Sequence, residues 1–421
     1  MNVTRREALL GGVGVMTAGL TGGYFMGHPE GQARGLVDAE LMDKKFPFRG
    51  TYQPGILTPA QQNMQLVSYR ILTTSRKKLV ELLKSWTSAA EAMMSGQTPL
   101  SAGDDQHKAP GDTGEAYDLG PYGLTVTFGF GASMFEDADG NPRFGLDGKK
   151  PETLIHQMRK VAGDFLQEER CGGDLMIMAC AEDPTVAIHA IHMFTKLGFG
   201  LVTVKWLQSG YAGTFSSAGK GHTPRNIFGF RDGTQASQLR EDEEKLYENV
   251  WIHPEDPGGD LFANGSFFCI RRIRLMVEVW DNLILSEQER AFGRAKLSGG
   301  PLSGGEEFDE VDYEAVDEAG NLLVPKESHQ HAVGAATNND RTMLRRSYSY
   351  MEGIDRLGNL DAGLAFIAYA RDPNTNFVDI MEKMQNTLLL EYMKYEGSAV
   401  FLCPPGLGEG EEFIGQALFA E

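Results

Sequence analysis

The chain has 421 residues, with 39 basic and 58 acidic side chains and a formal charge of -19. A single hydrophobic core usually stops growing at shorter lengths, so we expect two domains or two fused copies of one fold. The negative charge repels phosphate backbones and anionic lipid headgroups, which argues against nucleic acid and membrane surfaces as partners.

The N-terminal residues predict an export signal. A short basic start precedes a glycine-rich, weakly apolar stretch that is too interrupted for a stable membrane-spanning helix. Residues 4–10, TRREALL, resemble a twin-arginine signal, an address for proteins that are exported already folded. An ordinary flexible basic N-terminus is the alternative. We expect residues 1–45 to form the signal and a flexible lead, the mature chain to lack an integral membrane segment, and its location to be periplasmic or extracellular.

The first part of the remaining chain predicts helices packed on one face of a sheet. Apolar residues at helical spacing predict a helix over 60–94, and an exposed connection rich in Gly, Ser, Asp and Pro follows over 96–120. Strands are predicted over 124–130, 174–181 and 201–208, with a helix over 183–197. This pattern is typical of an α+β sandwich.

A similar order of elements follows in the second part of the chain. It comprises a strand over 266–279, a helix over 286–296, strands over 347–351 and 364–371, and a helix over 377–395. We infer two similar α+β halves joined near residues 218–225. An acidic insert over 304–320 predicts a solvated loop, and calcium binding is the alternative, although EF-hand spacing is absent.

One candidate site surrounds Asp232 in residues 226–234, NIFGFRDGT. Gly229 and Gly233 flank this carboxylate, and glycines let the backbone approach a flat ligand closely. The preceding phenylalanines provide an apolar surrounding, which raises a carboxyl pKa and suits proton transfer. An Asp-Gly pair is also common in ordinary turns, so the segment alone leaves both interpretations open.

A second candidate site combines residues 328–331, SHQH, with residues 343–350, MLRRSYSY. A histidine at a helix start can ligate iron through one ring nitrogen. A nearby arginine can stabilise negative charge as a peroxide O–O bond breaks. The alternatives are a hydrogen-bonded surface histidine and arginines engaged in salt bridges.

Together these segments resemble the dye-decolorizing peroxidase family, particularly its exported branch of deferrochelatase/peroxidases. The GxxDG signature of that family matches residues 229–233, and its proximal segment matches Ser328, His329, the Leu344-Arg345-Arg346 run and Tyr348. Further similar blocks lie at residues 53–61, 270–274, 288–294 and 298–302. The ordered set of blocks, which spans the chain from about residue 46 onwards, carries the resemblance.

The resemblance implies an α+β barrel fold built from two ferredoxin-like halves. The N-terminal half would comprise residues 46–220, and the C-terminal half, residues 221–421, would bind haem. The chain has no CxxCH motif, so the cofactor is expected to be haem b (iron protoporphyrin IX) without a covalent thioether bond.

The resemblance also implies a role for each site residue. Asp232 would move the proton of hydrogen peroxide from one oxygen to the other, and Arg345 would stabilise the departing charge. His329 would ligate the iron, and a carboxylate on its second nitrogen, for which Glu391 is our candidate, would make it a stronger electron donor. Thr387 occupies a position where an acidic residue is expected in relatives. The remaining cofactor contacts are expected from Gly229, Phe230, Arg231, Gly233 and His331.

Two departures from the family pattern concern the same site. His331 stands where an arginine is common, and Tyr52 stands where a histidine is common. His331 is also a rival iron ligand, and we favour His329 because it follows Ser328 and keeps the family's spacing to Arg345.

The expected function is a peroxidase that uses hydrogen peroxide to oxidise dyes and other small aromatic reductants such as phenolic compounds. Surface aromatic residues, among them Trp86, Trp206, Trp251 and Trp280, are candidates for relaying electrons from bulky dyes. A haem-binding or iron-supply protein with incidental peroxidase activity is the alternative, and a haem-free protein of the same fold is disfavoured. A homo-oligomer is compatible with the sequence.

Overall fold

The computed structural model describes residues 39–101, 106–212, 223–231, 239–334, 338 and 341–420. The predicted export signal, Asp232 and Gly233 lie outside these residues, as does most of the predicted junction near 218–225. None of the helices in the described ranges combines the length and the apolar character needed to cross a membrane.

The first half of the chain has the element order β-α-β-β-α-β. Its elements are β1 (Asn63–Ile71), α1 (Arg76–Met94), β2 (Thr125–Gly131), the short α2 (Ala132–Phe135), β3 (Leu175–Ala181), α3 (Pro184–Leu197) and β4 (Val202–Tyr211). Side-chain caps start both long helices: Ser75 accepts a hydrogen bond from the backbone of Lys78, and Asp183 accepts from Thr185 and Val186.

The second half repeats this order with more short elements between the strands. They are α4 (Glu243–Asn249), α5 (Gly259–Phe262), β5 (Ser266–Leu275), α6 (Val277–Trp280), α7 (Leu285–Phe292), α8 (His329–Val333), β6 (Leu344–Arg345), β7 (Tyr348–Ile354), β8 (Leu360–Ala370), α9 (Asp379–Lys383) and β9 (Met393–Cys403). A π-helical turn, Pro373–Val378, precedes α9, and 3-10 turns, Met384–Asn386 and Leu388–Tyr392, follow it.

The strands form a closed antiparallel barrel. In the described part of the chain, nine strands pair in the order β5-β9-β2-β3-β1-β4-β7-β8-β6. β8 also pairs with β5 along most of its length, which closes the ring and leaves β6 as a short extra strand on β8. The pairing order is β4-β1-β3-β2 in one half and β9-β5-β8-β7 in the other. Both halves therefore have the ferredoxin-like arrangement, and the predicted α+β fold is confirmed.

The two halves meet at two short seams. β2 and β9 pair only through Phe130–Leu402 and Gly131–Phe401, and β4 and β7 pair only through Tyr211–Ser349. Within each half the ladders are longer, as between β5 and β9. The barrel is thus two tightly paired sheets joined by few backbone hydrogen bonds.

Three strands, β2, β3 and β5, bury both of their faces. In β3, Leu175, Ile177 and Ala179 belong to the cluster that packs under α1 and α3, whereas Met176 and Met178 belong to a second cluster enclosed by the barrel. Strands buried on both faces appear as continuous apolar runs rather than alternating ones. This explains why periodicity located most strands but did not always distinguish them from helices.

Three predicted elements had wrong boundaries. The predicted helix over 60–94 is β1 followed by α1, because residues 63–71 pair with β3 on one side and β4 on the other. The predicted helix over 377–395 breaks after Lys383, and its last residues join β9, because pairing with β5 outweighs their helix propensity. The predicted strand over 266–279 ends at Leu275 and is followed by α6.

Candidate active site

A cavity of about 590 Å³ lies on the outer face of the second half. Its floor is the sheet, through Leu275 of β5, Leu364 and Phe366 of β8, and Met393 and Tyr395 of β9. The equivalent face of the first half is covered directly by α1 and α3. In the second half, α8, α9 and the turns beside them leave a space in the range of ~300–1,000 Å³ that is typical of small-molecule sites.

The cavity combines an apolar interior with arginines. Arg231, Arg294, Arg341 and Arg345 all line it. The Nε atom of Arg231 is buried and has no hydrogen-bond partner within the described part of the chain, and the same holds for the Tyr395 hydroxyl. Burial raises the pKa of Tyr395 to about 12, so this hydroxyl stays protonated. These groups suit a flat apolar ligand that carries carboxylates.

The loop before Asp232 is a tight turn held by its own side chains. Asn226 donates its backbone N–H to Phe230 O at 2.9 Å, and its side-chain oxygen accepts from Phe230 N at 3.1 Å. Gly229 has φ of 85°, which a residue with a side chain rarely adopts. Arg225 donates to Gly229 O at 2.8 Å. Asn226, Phe228 and Arg231 line the cavity, so the loop reaches it just before Asp232.

Phe228, which lines the cavity, and Phe230, which does not, belong to one aromatic cluster. Phe228 stacks on Trp280 with ring centroids 4.3 Å apart, and Phe230 stacks on Phe292 at 4.0 Å. Phe292 in turn lies 6.1 Å from the ring of His329. Phe230, predicted as a cofactor contact, does not line the cavity; it supports the residues that do.

His329 is the first residue of α8 and lines the cavity. Ser328 caps this helix by accepting a hydrogen bond from His331 N at 3.2 Å. The Nδ1 atom of His329 lies 3.2 Å from the sulfur of Met384. Glu391 is exposed on the turn Leu388–Tyr392, so its predicted contact with His329 is wrong. Thr387, the other residue noted there, donates its hydroxyl to Met384 O at 2.8 Å.

The two departures from the family pattern lie away from the cavity. His331 is two positions beyond His329 on α8, where side chains do not share a helix face, and it packs against Tyr313 with ring centroids 5.0 Å apart. Tyr52 stacks on Trp251 at 3.8 Å. Neither His331 nor Tyr52 lines the cavity.

The two neighbouring arginines of the Leu-Arg-Arg run point in opposite directions. Arg345, in β6, lines the cavity. Arg346 is 2% exposed and donates to the backbone oxygen of Thr58 and to the side-chain oxygen of Gln61. Arg346 therefore ties the second half to the segment before β1, and of the two arginines Arg345 is the one that lines the cavity.

A buried carboxylate organises one side of the cavity. Glu307 is 1% exposed and accepts the backbone N–H of Thr223 at 3.0 Å, and its carboxylate lies 3.7 Å from Arg231. Arg294 donates to Glu307 O at 2.9 Å and to the side chain of Gln330 at 2.6 Å. The predicted solvated loop over 304–320 thus includes a buried residue that holds the arginines in place.

Comparison with known proteins identifies the family. The family model "Dyp-type peroxidase, N-terminal" matches residues 53–212, and "Dyp-type peroxidase, C-terminal" matches residues 223–408. The chain belongs to the Dyp-type peroxidase family. This confirms the resemblance, and the protein is a haem peroxidase, an oxidoreductase that uses peroxide and a reductant.

Relatives of this Dyp-type peroxidase align over nearly its whole length. Curated proteins named Deferrochelatase are 32% identical in Yersinia pestis, covering 98% of this chain and 94% of the relative, and 32% identical in Shigella sonnei, covering 99% and 97%. Ferric DtpA from Streptomyces lividans has a TM-score of 0.81 and 33% identity, covering 90% of this chain and 99% of that structure. A DyP-type peroxidase from Cellulomonas bogoriensis has a TM-score of 0.79 and 31% identity over the same shares.

The residues of this Dyp-type peroxidase fit a haem in the cavity. The apolar floor matches a porphyrin plane, and the arginines, including Arg231, whose Nε has no partner among the described residues, match its carboxylates. Among the predicted site residues, the cavity lining brings together His329, Arg345 and Arg231. Gly229 shapes the loop, and neither it nor His331 lines the cavity.

Several cavity residues were missed by sequence reasoning. Phe292 and Arg294 lie in one segment, Met384 and Tyr395 lie in others, and no spacing rule connects these segments. Arg294 falls inside a block that resembles the family, residues 288–294, but the presence of an arginine there did not by itself indicate a role in the site.

Proposed function

We propose that this Dyp-type peroxidase binds haem b in the cavity with His329 as the iron ligand, Asp232 as the acid-base residue and Arg345 as the stabilising charge. The observation that carries the proposal is the convergence of His329, Arg345 and Arg231 on one apolar cavity. Arg231 directly precedes Asp232 in the chain.

The bound haem would supply the redox-active iron at which hydrogen peroxide is reduced. Asp232 accepts a proton from one peroxide oxygen and returns it to the other, so that water can leave. Arg345 presents guanidinium N–H donors to the negative charge that develops as the O–O bond breaks. The apolar floor excludes water and strengthens these electrostatic interactions.

His329 is the better iron ligand of the two candidates in α8. Its ring lines the cavity, and because Nδ1 contacts the sulfur of Met384, we assign Nε2 to the metal. His331 packs on Tyr313 and does not itself line the cavity. This supports the preference based on Ser328 and the spacing to Arg345.

Dyes and phenolic compounds are the proposed reductants, and bulky dyes require a route for electrons to the surface. Of the four tryptophans, Trp280 has the closest connection to the cavity: its ring stacks at 4.3 Å on Phe228, which lines the cavity. Trp280 is fully buried and its indole N–H has no hydrogen-bond partner in the described residues. Tyr392, 5.2 Å from Trp280 and partly exposed, would be the oxidation site for dyes.

The surroundings of Tyr392 suit oxidation. Burial, and then the nearby carboxylates of Glu391 and Glu287, raise its pKa. A tyrosine that loses an electron also releases its phenolic proton, and a neighbouring carboxylate can accept it. Glu391 is therefore better placed to act beside Tyr392 than beside His329.

A second candidate function is iron supply from haem, with peroxide turnover as a side activity. The name Deferrochelatase of relatives that align over nearly the whole chain favours it. Both functions require the same haem site and differ in whether iron leaves the porphyrin.

We further propose that residues 1–45 direct export through a twin-arginine route to a periplasmic or extracellular location, and that the halves divide as 46–220 and 221–421. The twin-arginine run supports export. The repeated strand order supports a division between β4 and β5. A homo-oligomer remains compatible with these features.

The test is reconstitution with haem of the parent chain and of three variants. We expect His329→Ala, but not His331→Ala, to lose the Soret spectrum of a histidine-ligated haem. Asp232→Asn is expected to keep the Soret band and lose peroxide-driven dye oxidation. Haem binding with release of free porphyrin and iron, but without dye turnover in the parent, would favour the iron-supply function instead.

A further inference from the structure

The contact between His329 and Met384 carries an inference about how the iron ligand is held. The sulfur of Met384 lies 3.2 Å from Nδ1 of His329, within hydrogen-bonding distance for a sulfur acceptor. Met384 is 4% exposed, so the contact is shielded from water. The ring orientation of His329 is therefore coupled to the position of one thioether.

The backbone around Met384 fixes where its side chain starts. Its carbonyl oxygen accepts two hydrogen bonds from Thr387, one from the hydroxyl at 2.8 Å and one from the backbone N–H at 3.0 Å. Thr387 is itself buried. The turn Met384–Asn386 thus directs the thioether towards α8.

Acidic side chains on the same segment are engaged elsewhere. Asp379 and Glu382 of α9 pair with Arg159 at 2.7 and 3.0 Å, and Asp379 also pairs with Arg341 at 3.1 Å. Glu391 is exposed beside Tyr392. The group in contact with Nδ1 is a neutral sulfur, whereas metal-bound histidines usually donate to a carboxylate, a carbonyl or water.

We propose that Met384 is a positioning residue that accepts the Nδ1–H hydrogen bond of His329 through its sulfur. The proposal rests on the function above, because it requires His329 to ligate the iron. A thioether is a weak, uncharged acceptor, so the imidazole gains less electron density through this bond than it would from a bond to a carboxylate. Compared with a histidine ligand bonded to a carboxylate, His329 would then stabilise the ferric state less, and the bound iron would have a higher reduction potential.

Two substitutions in the haem-loaded full chain test this. Met384→Glu adds a charged acceptor and is expected to raise the iron–histidine stretching frequency of the ferrous protein and to lower its reduction potential. Met384→Leu keeps the volume but removes the acceptor, so the stretching frequency is expected to fall. Resonance Raman spectroscopy and spectroelectrochemistry measure the two quantities.

Met193→Leu is the matched control, because Met193 is a fully buried methionine of α3 that does not line the cavity. It is expected to match the parent in both measurements. If Met384→Leu also matches the parent, the sulfur is not an acceptor and the proposal is overturned. The same conclusion follows if Met384→Glu folds, binds haem and leaves the potential unchanged.

Failure of the underlying function has a different signature. If His329→Ala keeps the iron–histidine band and His331→Ala loses it, the iron ligand is misassigned, and the Met384 proposal falls with it. If His329→Ala loses the band while Met384→Leu changes nothing, the ligand stands and only the role of Met384 is rejected.

Discussion

Phe230 lies flat against Phe292, with ring centroids 4.0 Å apart and ring planes within 7°. Phe230 belongs to the loop before Asp232, and Phe292 ends α7 and lies 6.1 Å from the ring of His329. The two segments that carry the proposed chemistry therefore share one stacked pair. A substitution in this pair is expected to disturb both the loop before Asp232 and the segment around His329.

Replacing Phe292 by alanine removes a 7%-exposed ring from this contact. We expect Phe292→Ala to lower the free energy of unfolding by about 3–5 kcal/mol and to weaken haem retention. Denaturant unfolding and the rate of haem transfer to an acceptor protein measure the two effects. Phe199, which is 91% exposed, is the control, and Phe199→Ala is expected within about 0.5 kcal/mol of the parent. Equal effects of the two substitutions would contradict the role of the stacked pair.

Arg345 and Arg346 should give opposite phenotypes although they are neighbours. Arg345→Gln is expected to keep stability but to lower kcat/KM for peroxide by about 10²–10³-fold, as when a donor to developing charge is removed. Arg346→Gln leaves the buried acceptors of Thr58 and Gln61 unsatisfied and should cost about 1–3 kcal/mol of stability. Thermal unfolding and steady-state kinetics distinguish them, and a stable Arg346→Gln variant would argue against its structural role.

The pH dependence of turnover tests Asp232. An aspartate that exchanges protons works near the carboxyl pKa, which is ordinarily about 4, rather than near that of histidine. We expect an acidic optimum for dye oxidation and its loss in Asp232→Asn, with the haem spectrum retained. An optimum above neutrality in the parent protein would count against Asp232 as the acid-base residue.

Trp280 and Tyr392 should matter for large reductants. We expect Tyr392→Phe and Trp280→Phe to lower kcat/KM for a bulky dye by about tenfold, or ~1.4 kcal/mol of activation free energy. Turnover of a phenol small enough to enter the cavity should change less. Tyr117, an exposed tyrosine in the loop after α1, is the control for Tyr392. Unchanged dye oxidation in both variants would exclude this route.

Acid stability should depend on the pair of Arg371 and Asp256. Arg371 donates to both carboxylate oxygens at 2.8 and 2.6 Å, and its hydrogen bond lowers the pKa of Asp256 below the model-compound value of 3.8. A carboxyl pKa lowered by folding stabilises the protein above the unfolded pKa, and this contribution is lost as pH falls through the folded pKa.

We therefore expect Asp256→Asn to cost about 1 kcal/mol at neutral pH, because the pair is partly exposed, and less as pH falls below about 4. Urea unfolding at several pH values measures this. Glu81→Gln, in an exposed pair with Lys77, should have no measurable effect. A penalty for Asp256→Asn that persists at the lowest pH would point to lost packing instead of lost charge.

The sequence allowed the fold to be predicted mainly through the order of its elements. The repeated β-α-β-β-α-β pattern follows from apolar periodicity and turn residues, both of which are local. Barrel closure is different, because the pairing of β5 with β8 and the short seams depend on contacts between distant strands. The errors at residues 63–71 and 393–395 have the same cause, since strand pairing decided the structure of segments with helical patterns.

For the site, the resemblance indicated His329 and Arg345, and the cavity includes both. It failed for Glu391, because it assumed one helix where the chain breaks after Lys383, which places this carboxylate at the surface. Met384 carried no recognisable signal, since a methionine in a helical pattern is usually a core residue. Only three-dimensional contacts could select it.

The two halves of the barrel use the same strand order for different purposes. In the first half, the apolar side chains of α1 and α3 pack directly on the sheet. In the second half the corresponding surface is left for a ligand. The cofactor pocket in the second half can therefore change while the first half stays the same and preserves the fold. Substitutions that redesign chemistry should therefore be tolerated far better in the second copy than equally drastic ones in the first.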